Sequence, residues 1–494
     1  MLSLVAACAQ RGEPASDLAD DPVADGEAVA VFRAVYAAVA DRYITPIPVE
    51  MVAARALTGF TSLDSRISVT RDGEWLILRT DGKPVRTMSA PPSADADAWA
   101  RATVKLWRSA RQASPTIAEA SAERMYEVMF RTLAGSLDRF STYATATQAR
   151  QARERRDGQR GLGLTWLYEN GFARVVALTS DGPAQRAGLR IGDALVSVDG
   201  ESVSRLDEIG LVRRLEAGAG ERVSLVVQRP GQPPTGYVVM RRPIIAETVT
   251  EESRGGIVRF AVSGFNQGTL GTLTTRLNAH LHDRADPLRG IILDLRGNPG
   301  GLLQSAVRIG GLFLDGGPIV ATRGRHPDSE HMFLASGRDI VPDLPIIVLI
   351  DGETASAAEV LAAALKDRHR AVVIGTRSFG KGLVQTVVPL PNQGEIGFTW
   401  SRLVSPSGAD LHVRGVAPSL CTASVDRMDE TAITAALLAG TEPDPVSPEP
   451  SVATCPSATR SGEIEPAIAR WLINNPGLYA LARGREDTLT PGGS

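Results

Sequence analysis

The chain is poor in cysteine. Its 494 residues hold three, Cys8, Cys421 and Cys455, none in a C-x-x-C spacing, so neither a zinc ribbon nor a thioredoxin-like redox motif is encoded. The six histidines form no H-E-x-x-H or comparable ligand set, which argues against a zinc enzyme and leaves no metal site to assign. Charge of one sign is not in excess either. The 53 basic residues against 56 acidic ones leave a formal net charge of −3, and no long Lys/Arg run breaks that balance, so nothing points to a nucleic-acid partner. No apolar run approaches the roughly 18 residues that a membrane-spanning helix needs. Internal repeats are absent as well.

What is present has the composition of a soluble globular protein, 43% hydrophobic and 22% charged. A single core stops growing at about 250–300 residues, so a chain of this length predicts two to four domains. Near the N-terminus, Leu4-Val5-Ala6-Ala7-Cys8 resembles a lipobox, which would make Cys8 a lipidated residue. Only seven residues precede it, none of them Lys or Arg, which falls short of the basic segment and apolar core of a secretory signal. With Cys8 lipidated, the remaining pair suits an oxidising compartment; in a cytosolic protein the three would be plain thiols.

The grammar changes along the chain. Residues 9–28 are small and acidic with prolines, a tether. Val31, Val35 and Val39 with Phe32 and Tyr36 predict a helix up to about Asp41. Residues 66–88 alternate around Asp72-Gly73 and Asp81-Gly82 and read as short strands. Helical stretches follow near 95–112 and 116–135, and residues 150–160 read as a polar linker or helix end. Residues 161–242 hold short strands separated by Gly, Pro and Asp, a compact β-rich domain. From 244 to about 425 strands and helices alternate, which predicts an α/β layer with buried, largely parallel strands. Residues 441–462 are rich in Pro, Ser and Thr, and a last helix at 463–474 precedes a polar tail.

Three segments of the α/β region carry chemistry. In PIIVLIDGETASAAEVLAAALKDR (345–368) a strand ends at Asp351 and a helix starts near Ser356. A side chain there lies at the positive end of a helix dipole beside unpaired N–H groups, which suits a nucleophile and an oxyanion. Ser356-Ala357-Ala358-Glu359 also fits a capping box, and on this segment alone the cap is the stronger reading. In AVVIGTRSFGKGLVQTVVPL (371–390) the run Gly375 to Lys381 matches most of a phosphate loop, but Gly382 stands where Ser or Thr would bind magnesium. Ser378 to Lys381 matches S-x-x-K, yet Gly380 and the β-branched run argue against the required helix. What remains is a lysine in a Gly-flanked loop entering a strand, with Gln385 four residues on. Lys381 and Gln385 would share one strand face, and burial would lower the lysine pKa toward that of a usable base. In GIILDLRGNPGGLL (290–303) a strand meets Asn298-Pro299-Gly300-Gly301, where two glycines allow close backbone approach and N–H groups aimed at an anion. A solvated lysine and a tight turn are the plain alternatives for the last two.

Taken together the three segments resemble the C-terminal processing (tail-specific) peptidase family. Its motifs read here as Ile292 to Gly301, Thr354-Ala355-Ser356-Ala357-Ala358-Glu359, and Phe379-Gly380-Lys381-Gly382 with Gln385. The resemblance covers roughly 135–420, with Leu137 to Tyr143 similar to the family segment before its PDZ domain. It implies a serine endopeptidase with Ser356 as nucleophile, Lys381 as general base and Gln385 assisting. The N–H of Ala357 and one from Gly300 or Gly301 would hold the oxyanion, with Glu359 and Asp367 as supporting residues. Gly161-Leu162-Gly163-Leu164 looks like a PDZ carboxylate-binding loop, and Ser180 to Ala184 with Ala187-Gly188-Leu189 and Gly192-Asp193 resembles the PDZ signature of these proteases. A substrate tail would add there as a strand.

The fold class that follows is α/β multidomain: a crotonase-like α/β serine protease core, an inserted β-rich PDZ domain and a mixed N-terminal region. The expected domains are 1–28 (leader and tether), 29–155 (mixed), 156–243 (PDZ), 244–425 (protease core) and 426–494 (extension). Residues 28–130 and those after about 425 match nothing in the family, and the strands at 66–88 read as an added element. No cofactor is implied. The expected partners are proteins or peptides with free C-termini, with room for an adaptor or lipoprotein activator and for a homo-oligomer. A non-catalytic PDZ scaffold would most easily show as loss of Ser356 or Lys381, and both are present. An acyl-CoA crotonase would need an adenine site and would leave the PDZ insertion unexplained. Export to the bacterial periplasm or cell envelope is expected, with the membrane reached only through a lipid on Cys8. In that compartment Cys421 and Cys455 would pair, closing a loop of about 35 residues for roughly 3–4 kcal/mol in the chain-entropy account.

Overall fold

The strands Gly290–Asp294 and Ile346–Ile350 read GIILD and IIVLI, and every residue in both is buried. A strand apolar on both faces has to lie inside a sheet covered on both sides. The computed structural model describes residues 22–157, 159–169, 172–179, 182–215, 222–439, 455–460 and 462–484. In it these two strands sit at the centre of a six-stranded sheet. Its order is Val249–Arg254, Ile257–Val262, Gly290–Asp294, Ile346–Ile350, Val372–Gly375 and Leu420–Cys421. The first pair is an antiparallel hairpin; all later neighbours are parallel.

The alternation of side chains divides the sheet's apolar residues between two cores. On one face Phe260, Ile291, Leu293, Val348, Ile350 and Val373 pack with the helices Leu303–Gly310 and Ala357–Asp367. On the other, Ile292, Ile347, Leu349, Val372 and Ile374 meet Ile433, Ile468, Leu472 and Tyr479. The chain beyond 425, set apart by its sequence, thus supplies the second cover of this sheet. The polar tail expected after the helix Ile464–Ile473 begins later than its composition suggests. A further helix, Pro476–Ala482, comes first, and its Tyr479 hydroxyl accepts the Ile346 N–H at 2.9 Å. Cys421 and Cys455 are joined by a disulfide, with Cα atoms 5.8 Å apart.

The chain divides into two compact units. One comprises the residues up to Thr147 together with Gln385–Thr399; the other comprises Gln148–Val384 and the chain from Trp400 onward. The first holds the helices Pro22–Arg42, Ala96–Ala113 and Ala122–Leu137 around Phe32, Tyr36, Trp99, Trp107 and Phe130. It also holds the meander Ile67–Asp72, Trp75–Thr80 and Lys83–Ser89, whose turns fall at the two Asp-Gly pairs. The break between the helices at 96–113 and 122–137 is set by Ser114 and Ser121, each capping a new helix start with its hydroxyl.

The β-rich stretch in the second unit forms an antiparallel sheet ordered Thr235–Met240, Arg222–Gln228, Ala194–Val198, Phe172–Leu178 and Leu164–Glu169, with Glu201–Ser202 beside Ala194–Val198. Val175, Leu195, Leu211, Val223 and Leu225 make its own small core. Among the described residues no helix is long and apolar enough to cross a membrane.

Candidate active site

Three neighbouring parallel strands, Gly290–Asp294, Ile346–Ile350 and Val372–Gly375, end on the same edge of the sheet. The loops leaving their carboxyl ends are the three segments singled out above. In open α/β sheets such loops form the binding crevice. Direct bonds tie the loops to one another. Ala355 N–H donates to the Asn298 carbonyl at 2.9 Å, and Phe379 N–H donates to the Thr354 carbonyl at 2.9 Å.

Ser356 stands immediately before the helix Ala357–Asp367, with φ +56° and ψ −118°. An N-cap serine normally has an extended backbone, so capping does not account for this conformation. Holding a non-glycine residue there costs roughly 1–3 kcal/mol, and such strain collects at functional sites. Ala357, the first helical residue, has an N–H with no intrahelical acceptor. Gly300, at φ +101°, lies directly against this pair. A Cβ on it would come within 2.8 Å of the Ser356 Cβ and 3.0 Å of the Ala357 nitrogen. Its own N–H donates to Asn298 Oδ1 at 2.8 Å. Gly301 packs against the Phe265 backbone just as closely, so neither glycine can carry a side chain.

Glu359 joins the segments. It lies on the first turn of the helix, fully buried. Its Oε2 accepts the N–H of Ser356 at 2.7 Å and that of Lys381 at 2.8 Å. Its Oε1 accepts the Gly380 N–H at 2.7 Å and the Ser378 hydroxyl at 2.5 Å. One oxygen atom therefore holds the backbones of Ser356 and Lys381 together. Burial pushes the Glu359 carboxyl above its ordinary range, against the pull of these four donors.

Lys381 lies in the Gly-flanked loop, as expected, and the strand it enters is Leu383–Pro389, so the strand face it was expected to share with Gln385 does not extend back to it. Gly380 at φ +82° and Gly382 press against the backbone of Leu411 to Val413, which delays the extended run by two residues. Gln385 lies on that strand, half-buried, just past the point where the chain passes from one compact unit to the other. Asp367 ends the nucleophile helix. Its carboxylate accepts from the Ser405 hydroxyl at 2.6 Å and the Ser407 N–H at 3.1 Å, so it secures that turn and does not touch Ser356. The length of an eleven-residue helix separates the two.

Two residues in this region were given no role from the sequence. Asp351 is buried at the end of its strand, and its Oδ1 accepts the N–H groups of Gly297, Glu353 and Thr354. Asn298 is fully buried and donates to the Val262 carbonyl at 2.7 Å. The available signal was an acid or amide closing an otherwise apolar strand, since such a group needs partners when buried.

In the β-rich domain Gly161 ends the short strand Gln159–Gly161, Leu162 is buried, Gly163 has φ +69° and Leu164 opens the strand Leu164–Glu169. The carbonyls of Leu162 and Gly163 accept from Ala184 and Thr179, which turns them inward. Among the described residues Leu164–Glu169 is an edge strand, open to one more. Asp193 is buried, and its carboxylate is bonded by Arg229 at 2.6 and 2.9 Å and by the Arg190 N–H. Ser180, Asp181 and Cys8 lie outside the described residues.

Residues 257–421 match peptidase family S41 and residues 174–229 match a PDZ domain. Residues 257–421 are thus a peptidase family S41 core. The chain is a multidomain α/β protein with an S41 protease core and a β-rich PDZ domain. It is 36% identical over 288 residues to the carboxy-terminal-processing protease of Bartonella bacilliformis, covering 58% of this chain and 66% of that one. It is 33% identical over 281 residues to the chloroplastic C-terminal processing peptidase of Tetradesmus obliquus, covering 53% and 59%. The match thus spans less than two thirds of the length of these relatives. The solved structure of a photosystem II D1 C-terminal processing protease aligns over 79% of this chain and 92% of its own, with 24% identity and a TM-score of 0.41.

Proposed function

We propose that this chain is a serine endopeptidase that cuts proteins near free C-termini. The observation that carries the reading is the Ser356 geometry. A serine strained to positive φ at a helix N-terminus shares one buried carboxylate oxygen with the backbone of a lysine. In this reading Lys381 takes the hydroxyl proton of Ser356, Ser356 attacks the peptide carbonyl, and water later releases the acyl-enzyme. The Ala357 N–H holds the oxyanion. Of the two glycines, Gly301 is assigned as its partner, because the Gly300 N–H is engaged by Asn298. Gln385 is kept as the assisting residue that the family resemblance implies, Glu359 positions both catalytic backbones, and Asp367 acts only through the 405–407 turn.

The PDZ domain selects substrates. Its 161–164 loop receives the terminal carboxylate and the open edge of Leu164–Glu169 receives the tail. We place the core in the crotonase-like class on its parallel sheet flanked by helices. We keep 1–28, 29–155, 156–243, 244–425 and 426–494 as working divisions. We also propose an extracytoplasmic enzyme, a setting that suits the Cys421–Cys455 bridge; a lipid on Cys8 would anchor it. Reaction of the purified chain with a fluorophosphonate, followed by mapping of the adduct, tests the mechanism. The label should fall on Ser356, and Ser356→Ala and Lys381→Arg should abolish peptide cleavage, since arginine does not become a neutral base. No label on Ser356 would make the chain a non-catalytic scaffold.

A further inference from the structure

Residues Cys455–Arg460 have no regular secondary structure, yet they lie across the roots of the catalytic loops. The Ala458 carbonyl accepts the Gly352 N–H at 2.8 Å and the Thr376 hydroxyl at 2.5 Å. The Pro456 carbonyl accepts the Arg377 N–H at 3.2 Å. Gly352 follows the strand leading to Ser356, and Thr376 and Arg377 follow the strand leading to Lys381. The fit is close enough that a Cβ on Gly352 would meet the Ser457 hydroxyl at 2.8 Å and the Ala458 nitrogen at 2.9 Å. At the far end the Arg460 N–H donates to Asp351 Oδ2 at 3.2 Å. The other oxygen of Asp351 holds the Gly297 N–H of the glycine loop. The strap therefore reaches all three loops.

Its own apolar anchorage is slight. Cys455 is its one buried residue, and that residue is bridged to Cys421, on the edge strand paired with Val372–Gly375. A short irregular segment with few buried contacts opens locally at low cost. The bridge removes that freedom by holding one end of the strap against the sheet.

We propose that the bridged strap Cys455–Arg460 is a positioning element of the active site, and that turnover falls when the bridge is opened although the enzyme stays folded. This rests on the protease reading above. Closed, the strap keeps the strand ends of the nucleophile and base loops at a fixed spacing. Open, those ends lose their shared partner Ala458, and small displacements between nucleophile and base are costly for rate.

The test uses the full chain and dithiothreitol. One thiolate of the reagent attacks a sulfur of the Cys421–Cys455 bridge, expelling the other cysteine and leaving a mixed disulfide; the reagent's second thiolate then attacks its own bonded sulfur and expels the remaining cysteine. Two electrons and two protons pass to the protein, which ends with two thiols, and the reagent closes to its cyclic disulfide. On a peptide substrate kcat should drop roughly 10- to 100-fold, with KM within about twofold and the melting temperature still above that of the assay. Reoxidation should restore kcat. With the bridge intact, Thr376→Val keeps the volume but removes the donor to Ala458; it should lower kcat in the same way, and Thr376→Ser should recover it. If reduction unfolds the chain, the Thr376 pair decides. Unchanged kcat in reduced, folded protein with two titrated thiols, or full activity in Thr376→Val, overturns the proposal. Absence of Ser356 labelling in the oxidised wild type would instead remove the protease reading, and the positioning role with it.

Discussion

Replacing Glu359 by glutamine keeps the shape of the side chain and changes only what its terminal atoms accept. Four donors converge on the carboxylate, two on each oxygen: Ser356 and Lys381 N–H on one, Gly380 N–H and the Ser378 hydroxyl on the other. Whichever way the amide is turned, its NH2 faces two donors. A hydrogen bond to a charged acceptor contributes about 1.5–3 kcal/mol, so losing two costs about 3–6 kcal/mol. Removing a buried charge offsets part of this and moves the net toward the low end. Against a total stability of about 5–15 kcal/mol, the loss is large but need not unfold the chain. Urea unfolding followed by circular dichroism should show the core transition shifted to lower denaturant, and kcat should fall further than stability alone explains. The pH dependence has a definite sign. The folded pKa of Glu359 is raised from 4.5 by burial, so the folded state holds the proton more tightly than the unfolded chain. Stability should fall as pH rises from about that ordinary value through the folded one, and the glutamine variant should lack this slope. A core transition shifted by less than about 1 kcal/mol, with cleavage unchanged, would refute the placement of Glu359 at the centre of the site.

Gly300→Ala should lose at least about 100-fold in kcat, because the added methyl would meet Ser356 and Ala357 at 2.8 and 3.0 Å in a conformation with φ +101°; a fully active variant would show that this loop is not packed against the nucleophile. In the PDZ domain, burial pushes Asp193 up, but bonds from Arg229 and Arg190 outweigh it and hold the carboxyl below its ordinary 3.8. Its stabilising contribution is present above that value and disappears as pH falls through the folded pKa. Asp193→Asn should therefore destabilise the domain at neutral pH, with the gap to wild type closing in acid; a constant gap across an acid titration of the melt would contradict the pairing. Peptides with a free C-terminus should be cut faster than their amidated forms, as followed by chromatography of the products; equal rates would mean that the 161–164 loop does not read the carboxylate.

Much of this was legible from residue order. The alternation of strands and helices from 257 to 375 could be read because strands covered on both faces must be apolar throughout, as in GIILD and IIVLI. The turns of the 67–89 meander were marked by Asp-Gly pairs, whose positive φ at Gly73, Asp81 and Gly82 is a local property. Three motifs in order pointed to the peptidase family. The shared strand face expected of Lys381 and Gln385 does not form, because the backbone that crowds Gly382 comes from Leu411 and His412, some thirty residues on in the chain.

The tertiary structure alone decided what the polar residues between those strands hold. Glu359 read as one arm of a local cap, and it is; that it also gathers Ser378, Gly380 and Lys381 depends on partners 19 to 22 residues away. The segment 455–460 has no periodicity to read, since the bonds that order it come from Asp351, Gly352, Thr376, Arg377 and Val425 across the fold and from Glu465, together with the bridge to Cys421. Apolar burial is set by each residue's own side chain and repeats with the period of the element, so it is written along the chain. A buried polar atom is satisfied only by whatever group the folded chain brings within about 3 Å of it, and that is decided when the strands have taken their places.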